Sequence, residues 1–116
     1  MIIEIPENSD FSIHNIPFGI FETSNKGPRA GVAIGEYIID LAELSDHGVF
    51  EFETSVLKKE TLNDFISLGK AITSKVRIDI QAWLQDTSSV LAKHSELFIK
   101  QSSAKMLMPI RVGDYT

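Results

Sequence analysis

The chain has 116 residues, no cysteine, a formal net charge of −5, and 43% hydrophobic against 23% charged residues. This suits one folded domain with a single core, not a disordered tail. The acidic excess and scattered Lys and Arg argue against a nucleic-acid or anionic-membrane surface. Lack of cysteine leaves no disulfide framework and no thiolate nucleophile or metal ligand, which fits the cytoplasm.

The start, Met1 to Asn8, has neither a basic region nor a long apolar run, so it does not read as a signal peptide. Nowhere does a window approach the ~20 apolar residues of a membrane helix. Ile2, Ile3 and Ile5 predict a short strand, and Pro6 to Pro17 an ordered irregular arm. Phe18 to Thr23 reads as a strand, and Ser24 to Pro28 as a turn. Gly31 to Leu41 predicts a β-hairpin, because Gly35-Glu36 between β-branched and aromatic runs suits a type II′ turn. That register sets Ile34 against Tyr37, Val32 against Ile39 and Ala30 against Leu41, and leaves Gly31, Ala33, Ile38 and Asp40 on a lighter face. These pieces make a three-stranded meander.

Leu41 to Leu44 predicts one helical turn, broken by Asp46-His47-Gly48. In Val49 to Val56, Phe50 and Phe52 alternate with Glu51 and Glu53, which suits a half-exposed strand. Thr61 reads as the N-cap of a helix over Leu62 to Leu68 that Gly69 ends or kinks, with Asp64 standing in for the capping-box glutamate. From Lys70 to Gln85, Ile72, Val76, Ile80, Trp83 and Leu84 recur at helical spacing and predict a buried stripe. Asp86 to Ser89 is a loop and cap for a further helix over Val90 to Lys100, with Val90, Leu91, His94, Leu97 and Phe98 on one side. Lys105 to Val112, interrupted by Pro109, suits an edge strand or connector.

The residues alone show no active site. His14, His47 and His94 are dispersed and lack an H-x-x-x-H spacing, so each reads as structural or surface. Gly27, Gly31 and Gly35 match neither G-x-G-x-x-G nor a P-loop, and the hairpin accounts for two of them. Glu51 and Glu53 read as solvated carboxylates, not an acid/base pair. The serines lack a G-x-S-x-G elbow, and Trp83 reads as core. No catalytic, cofactor-binding or metal-ligating residue is therefore assigned.

Four blocks nevertheless resemble one family. Asp10 to Phe21 (Asp-Phe-Ser-Ile-His-Asn-Ile-Pro-Phe-Gly-Ile-Phe), Gly31-Val-Ala-Ile-Gly35 with Asp40-Leu41, Thr61 to Gly69, and Met108-Pro109 with Gly113-Asp-Tyr-Thr116 follow the order of the N-terminal domain of the fumarylacetoacetase family. The chain is least similar at about 45–60 and 86–104. Phe18 stands where the family often has Tyr.

The resemblance implies an α+β fold with a mainly β core: a small, partly open SH3-like β-barrel carrying two to three helices, residues 1–116 forming one domain. It implies that the parent enzyme hydrolyses a carbon–carbon bond of fumarylacetoacetate, with Ca²⁺ or Mg²⁺ on the substrate's oxygens and a His–Glu pair activating water. It places that machinery in a C-terminal catalytic domain, starting just past Thr116. Asp114 matches a different aspartate from the metal ligand. The partner expected for this chain is that domain, in a cytoplasmic homodimer, docked near Met106 to Val112. The alternative is a free-standing SH3-like interaction module, for which Tyr37, Tyr115 and Trp83 are the available groove aromatics.

Overall fold

A computed structural model describes residues 17–107. Strands β1 (Phe18–Thr23), β2 (Lys26–Ile34) and β3 (Tyr37–Asp40) form the expected meander. The tight turn between β2 and β3 has φ +58° at Gly35 and no positive φ at Glu36, the pattern of a type II′ turn. Ile34 pairs with Tyr37 and Val32 with Ile39, as the two-residue loop requires. The pairing of Ala30 with Leu41 does not form. Asp40 pairs with Gly31, and its carboxylate accepts a hydrogen bond from the Glu43 amide at 3.1 Å, so Leu41 opens helix α1 (Leu41–Ser45) instead. The first turn is tighter than expected, since β2 already begins at Lys26, which pairs with Thr23.

Among the described residues the sheet has five antiparallel strands in the order β4-β3-β2-β1-β5, where β4 is Phe98–Lys100 and β5 is Lys105–Leu107. It is not closed: β4 and β5 form opposite edges. β5 pairs with β1 through Ile20 and Leu107, the edge position expected for the start of the 105–112 stretch. The rest of that stretch, with Met108 to Val112 and Asp114, lies outside the described residues, as do the arm at 1–16 and His14.

One face carries the main core. Ile20, Ala30, Val32, Ile34, Ile39 and Leu41 are fully buried there. Helix α3 (Lys70–Gln85) covers this core with Val76, Ile80 and Leu84, while Ile72 and Trp83 of the same stripe are half-buried and Thr73 joins it. Gly69 has φ +104° and ends α2 (Asn63–Ile66) before α3 begins. α2 is shorter than expected, and Thr61 is not its N-cap; its hydroxyl accepts from the Asn63 amide one residue early, at 3.4 Å.

Two other expectations are corrected. Residues 49–56 do not form a strand: Thr54–Lys58 is a 3₁₀ turn capped by Glu53, and Phe50 and Phe52 reach the core by stacking on each other 5.2 Å apart. The helix expected over Val90 to Lys100 stops early. Helix α4 (Val90–Lys93) gives way to a 3₁₀ turn at Ser95–Leu97 and then to β4. The open edge of β3 takes up Phe98, Ile99 and Lys100 by pairing them with Ile39, Ile38 and Tyr37, and this tertiary pairing overrides the helical spacing. The Ser89 cap does form. Its hydroxyl accepts from the Ala92 amide at 3.3 Å and donates to the Trp83 carbonyl at 2.7 Å, so Ser89→Ala should cost about 1 kcal/mol in urea unfolding.

Candidate functional site

The second face of the sheet holds a buried ion pair. Arg29 Nε donates to Asp40 Oδ2 at 2.7 Å, with the two side chains 8% and 1% exposed. The guanidinium also donates to the Gly27 carbonyl at 2.9 Å and Thr23 Oγ1 at 3.3 Å, and lies over the Phe21 ring, 4.4 Å from its centroid. Asp40 thus faces two ways, with Oδ2 on Arg29 and Oδ1 on the first turn of α1. Residue types alone do not show this pair, but the hairpin register does. Asp40 lies opposite Gly31, so Arg29, two residues back on the same face, is its diagonal neighbour.

Beside the pair is a cleft of about 520 Å³ whose rim includes Asn25, Lys26, Glu43, Glu96 and Ser103. The volume is in the range of small-molecule sites. Four of its charges, however, are already matched, because Lys26 forms an ion pair with Glu43 and Arg29 with Asp40, and Glu96 lies against His94. This chemistry ties β1, β2, β3 and α1 together; it does not supply a base next to a nucleophile.

A second hollow, about 220 Å³, lies between α3 and the loop at 49–52, with Phe50, Phe52, Ile72 and Val76 as its floor. Lys75 and Asp79 form an ion pair on its rim at 2.8 Å, and that hydrogen bond raises the Lys75 pKa. Glu51 is exposed there, while Glu53 is occupied in capping. They are not assembled into an acid/base pair. Trp83 stands against Phe50, with ring centroids 6.1 Å apart.

The glycines divide by cause. Gly35 serves the hairpin turn and Gly31 a close approach of side chains, while a Cβ on Gly27 would meet nothing. They do not line a common loop.

The histidines are where the sequence reading falls short. His47 and His94, treated as dispersed, meet with ring centroids 4.2 Å apart. Glu96 Oε1 lies 3.1 Å from His94 Nδ1. A hydrogen bond from its own backbone amide, aided by His94 and His47, holds the Glu96 carboxyl below its ordinary pKa. A single sequence gives no sign of this meeting, because His47 and His94 sit on turns joined only through the tertiary fold.

The family model described as Fumarylacetoacetase N-terminal matches residues 14–109. Among curated proteins, the chain is similar to fumarylacetoacetase of Dictyostelium discoideum (42% identical over 122 residues). It is also similar to those of Homo sapiens (40%) and Bos taurus (39%). In each case the match covers 98% of this chain and 29% of the relative. The chain therefore spans under a third of the length of these relatives.

Proposed function

The chain belongs to the fumarylacetoacetase N-terminal family, and from this we propose that it is the N-terminal structural domain of an enzyme that hydrolyses a carbon–carbon bond of 4-fumarylacetoacetate. The products are fumarate and acetoacetate, in tyrosine and phenylalanine breakdown. The one-sided coverage carries the reading: relatives named fumarylacetoacetase match nearly all of this chain, yet the match takes up only 29% of their own length. Residues 1–116 then form one domain whose working partner is a C-terminal catalytic domain. We read the open five-stranded sheet as a partly open SH3-like barrel, supported by the burial of apolar side chains on both of its faces.

The implied Ca²⁺ or Mg²⁺ does not fit the described residues. Those ions take oxygen ligands, six or more for Ca²⁺. Here Asp40, Glu43 and Asp46 are matched to Arg29, Lys26 and Lys58, and the cluster suited to a metal is rich in imidazole. The reading assigns the ion and the acid–base groups to the C-terminal domain, where the metal would stabilise the enolate-like leaving group. It also takes the whole protein as a cytoplasmic homodimer. Among the described residues no helix is long and apolar enough to cross a membrane. The alternative interaction module has less support, since Tyr37 packs edge-on against Phe98 and Trp83 against Phe50 instead of sharing a groove.

Our expectation is that the 116-residue chain, given substrate and Ca²⁺ or Mg²⁺, shows no hydrolysis; metal-dependent turnover by this chain alone would overturn the assignment. The docking face is the β5 edge, where Met106 is 47% exposed and Leu107 is half-buried. Met106→Asp, Leu107→Asp or Ile110→Asp should weaken binding of a separately produced C-terminal domain by at least roughly tenfold, about 1.4 kcal/mol. Calorimetry giving an unchanged affinity for all three would place the interface elsewhere.

A further inference from the structure

His47, His94 and Glu96 bring three donor atoms of metal-ligating type within 4.8 Å of one another. Two independent turns deliver them. His47 follows α1, where its amide donates to the Leu44 carbonyl and the Gly48 amide to the Ser45 carbonyl, each at 3.1 Å. The turn is completed by Gly48 at φ +72°. His94 ends α4, and its carbonyl accepts from the Leu97 amide at 3.1 Å. Leu44, Leu91 and Leu97 are buried beside these turns, so the backbone on both sides is anchored in the core while the imidazoles face outward. Turns anchored this way lose little further backbone freedom when their side chains close around an ion.

We propose that His47, His94 and Glu96 form a site for a first-row transition-metal cation of the Zn²⁺ class. Two imidazoles and one carboxylate are a ligand set that suits Zn²⁺, Ni²⁺ or Cu²⁺, and too poor in oxygen for Ca²⁺ or Mg²⁺. The 3.1 Å from His94 Nδ1 to Glu96 Oε1 is close to the roughly 3.3 Å between neighbouring ligands on a tetrahedral ion with ~2.0–2.1 Å bonds. His47 has only to rotate its exposed ring to complete the set. The bound ion ties the end of α1 to the α4 turn and leaves a coordination position for water or an added ligand. Because it binds the folded arrangement, it stabilises that arrangement by mass action. The site is independent of the hydrolase reading and stands or falls without it.

The test uses the full polypeptide carrying this chain, free of any affinity tag, stripped with chelator and kept in excess Mg²⁺ to occupy hard-cation sites. Titration with Zn²⁺ by calorimetry should show an uptake that His47→Ala and His94→Ala each weaken at least roughly tenfold, and Glu96→Gln by less. The double histidine variant should bind Zn²⁺ more weakly than either single one, because it leaves only the Glu96 carboxylate of the three ligands. In unsubstituted protein, substoichiometric Ni²⁺ should broaden the imidazole ring resonances of His47 and His94 together. His47→Gln and His94→Gln serve should either alanine variant fail to fold. Zn²⁺ affinity that ignores both histidines, broadening of one ring without the other, or no uptake at all would overturn the proposal.

Discussion

Asp40→Ala is expected to destabilise this domain by about 3–5 kcal/mol, the cost of removing one partner from a buried ion pair. The substitution leaves the Arg29 guanidinium, 8% exposed, without its counter-charge. The remaining acceptors, the Gly27 carbonyl and Thr23 Oγ1, are neutral and do not offset the desolvation of a full charge. Loss of the hydrogen bond to the Glu43 amide adds about 1 kcal/mol through the frayed start of α1. Urea unfolding at neutral pH measures the sum, and Asp40→Asn separates its parts by keeping a capping oxygen while removing the charge. Asp46→Ala is the control. It breaks the Lys58–Asp46 pair, whose side chains are 53% and 58% exposed, and should cost no more than about 1 kcal/mol. The double variant Arg29→Met/Asp40→Leu should recover most of the loss, since apolar replacement of a whole buried pair is often close to neutral. A loss below about 1 kcal/mol for Asp40→Ala would mean that the pair is not a determinant of the fold.

The hairpin was legible because local chemistry decides it: only glycine enters the first position of its turn cheaply, and the two-residue loop then fixes which side chains meet. The α3 stripe was legible for a similar reason, its period being a property of one continuous segment. What sequence reasoning missed lies between segments. Phe98 to Lys100 have a helical continuation available and become a strand because β3 offers an open edge to them. Phe50 and Phe52 alternate like a strand, yet they stack on one another and turn towards Phe65 and Trp83, a loop packing that period counting does not separate from a ladder. Family membership was readable from four spaced blocks, whereas the meeting of His47 with His94 depends on two turns whose approach no local pattern encodes. The Arg29–Asp40 pair is intermediate, since extending the hairpin register by two residues places both charges on one face.

Gly31→Ala is expected to cost about 2–3 kcal/mol, although it adds only a methyl group to a strand where alanine would ordinarily gain from lower chain entropy. Backbone conformation is not the reason, because Gly31 is not among the residues with positive φ. Space is the reason: a Cβ built there would lie 2.7 Å from Ile38 Cγ2 and 2.7 Å from Phe21 Cε1. Neither neighbour can yield easily, since Phe21 is 0% and Ile38 1% exposed, and the Arg29 guanidinium lies over the Phe21 ring. Relief therefore demands that β3 move off β2 or that the ring push into the Arg29–Asp40 pair. The two predictions are physically linked for that reason. Gly27→Ala, two turns of the pleat away with nothing near its Cβ, should be nearly neutral or slightly stabilising in urea unfolding, which also measures the loss at Gly31. Gly31→Ala combined with Ile38→Ala should cost less than the sum of the separate changes, because the second removes the Ile38 Cγ2 that the new methyl meets. Strict additivity would show that the new methyl group is accommodated elsewhere, and that the close packing of β1, β2 and β3 around Gly31 is not what holds this face together.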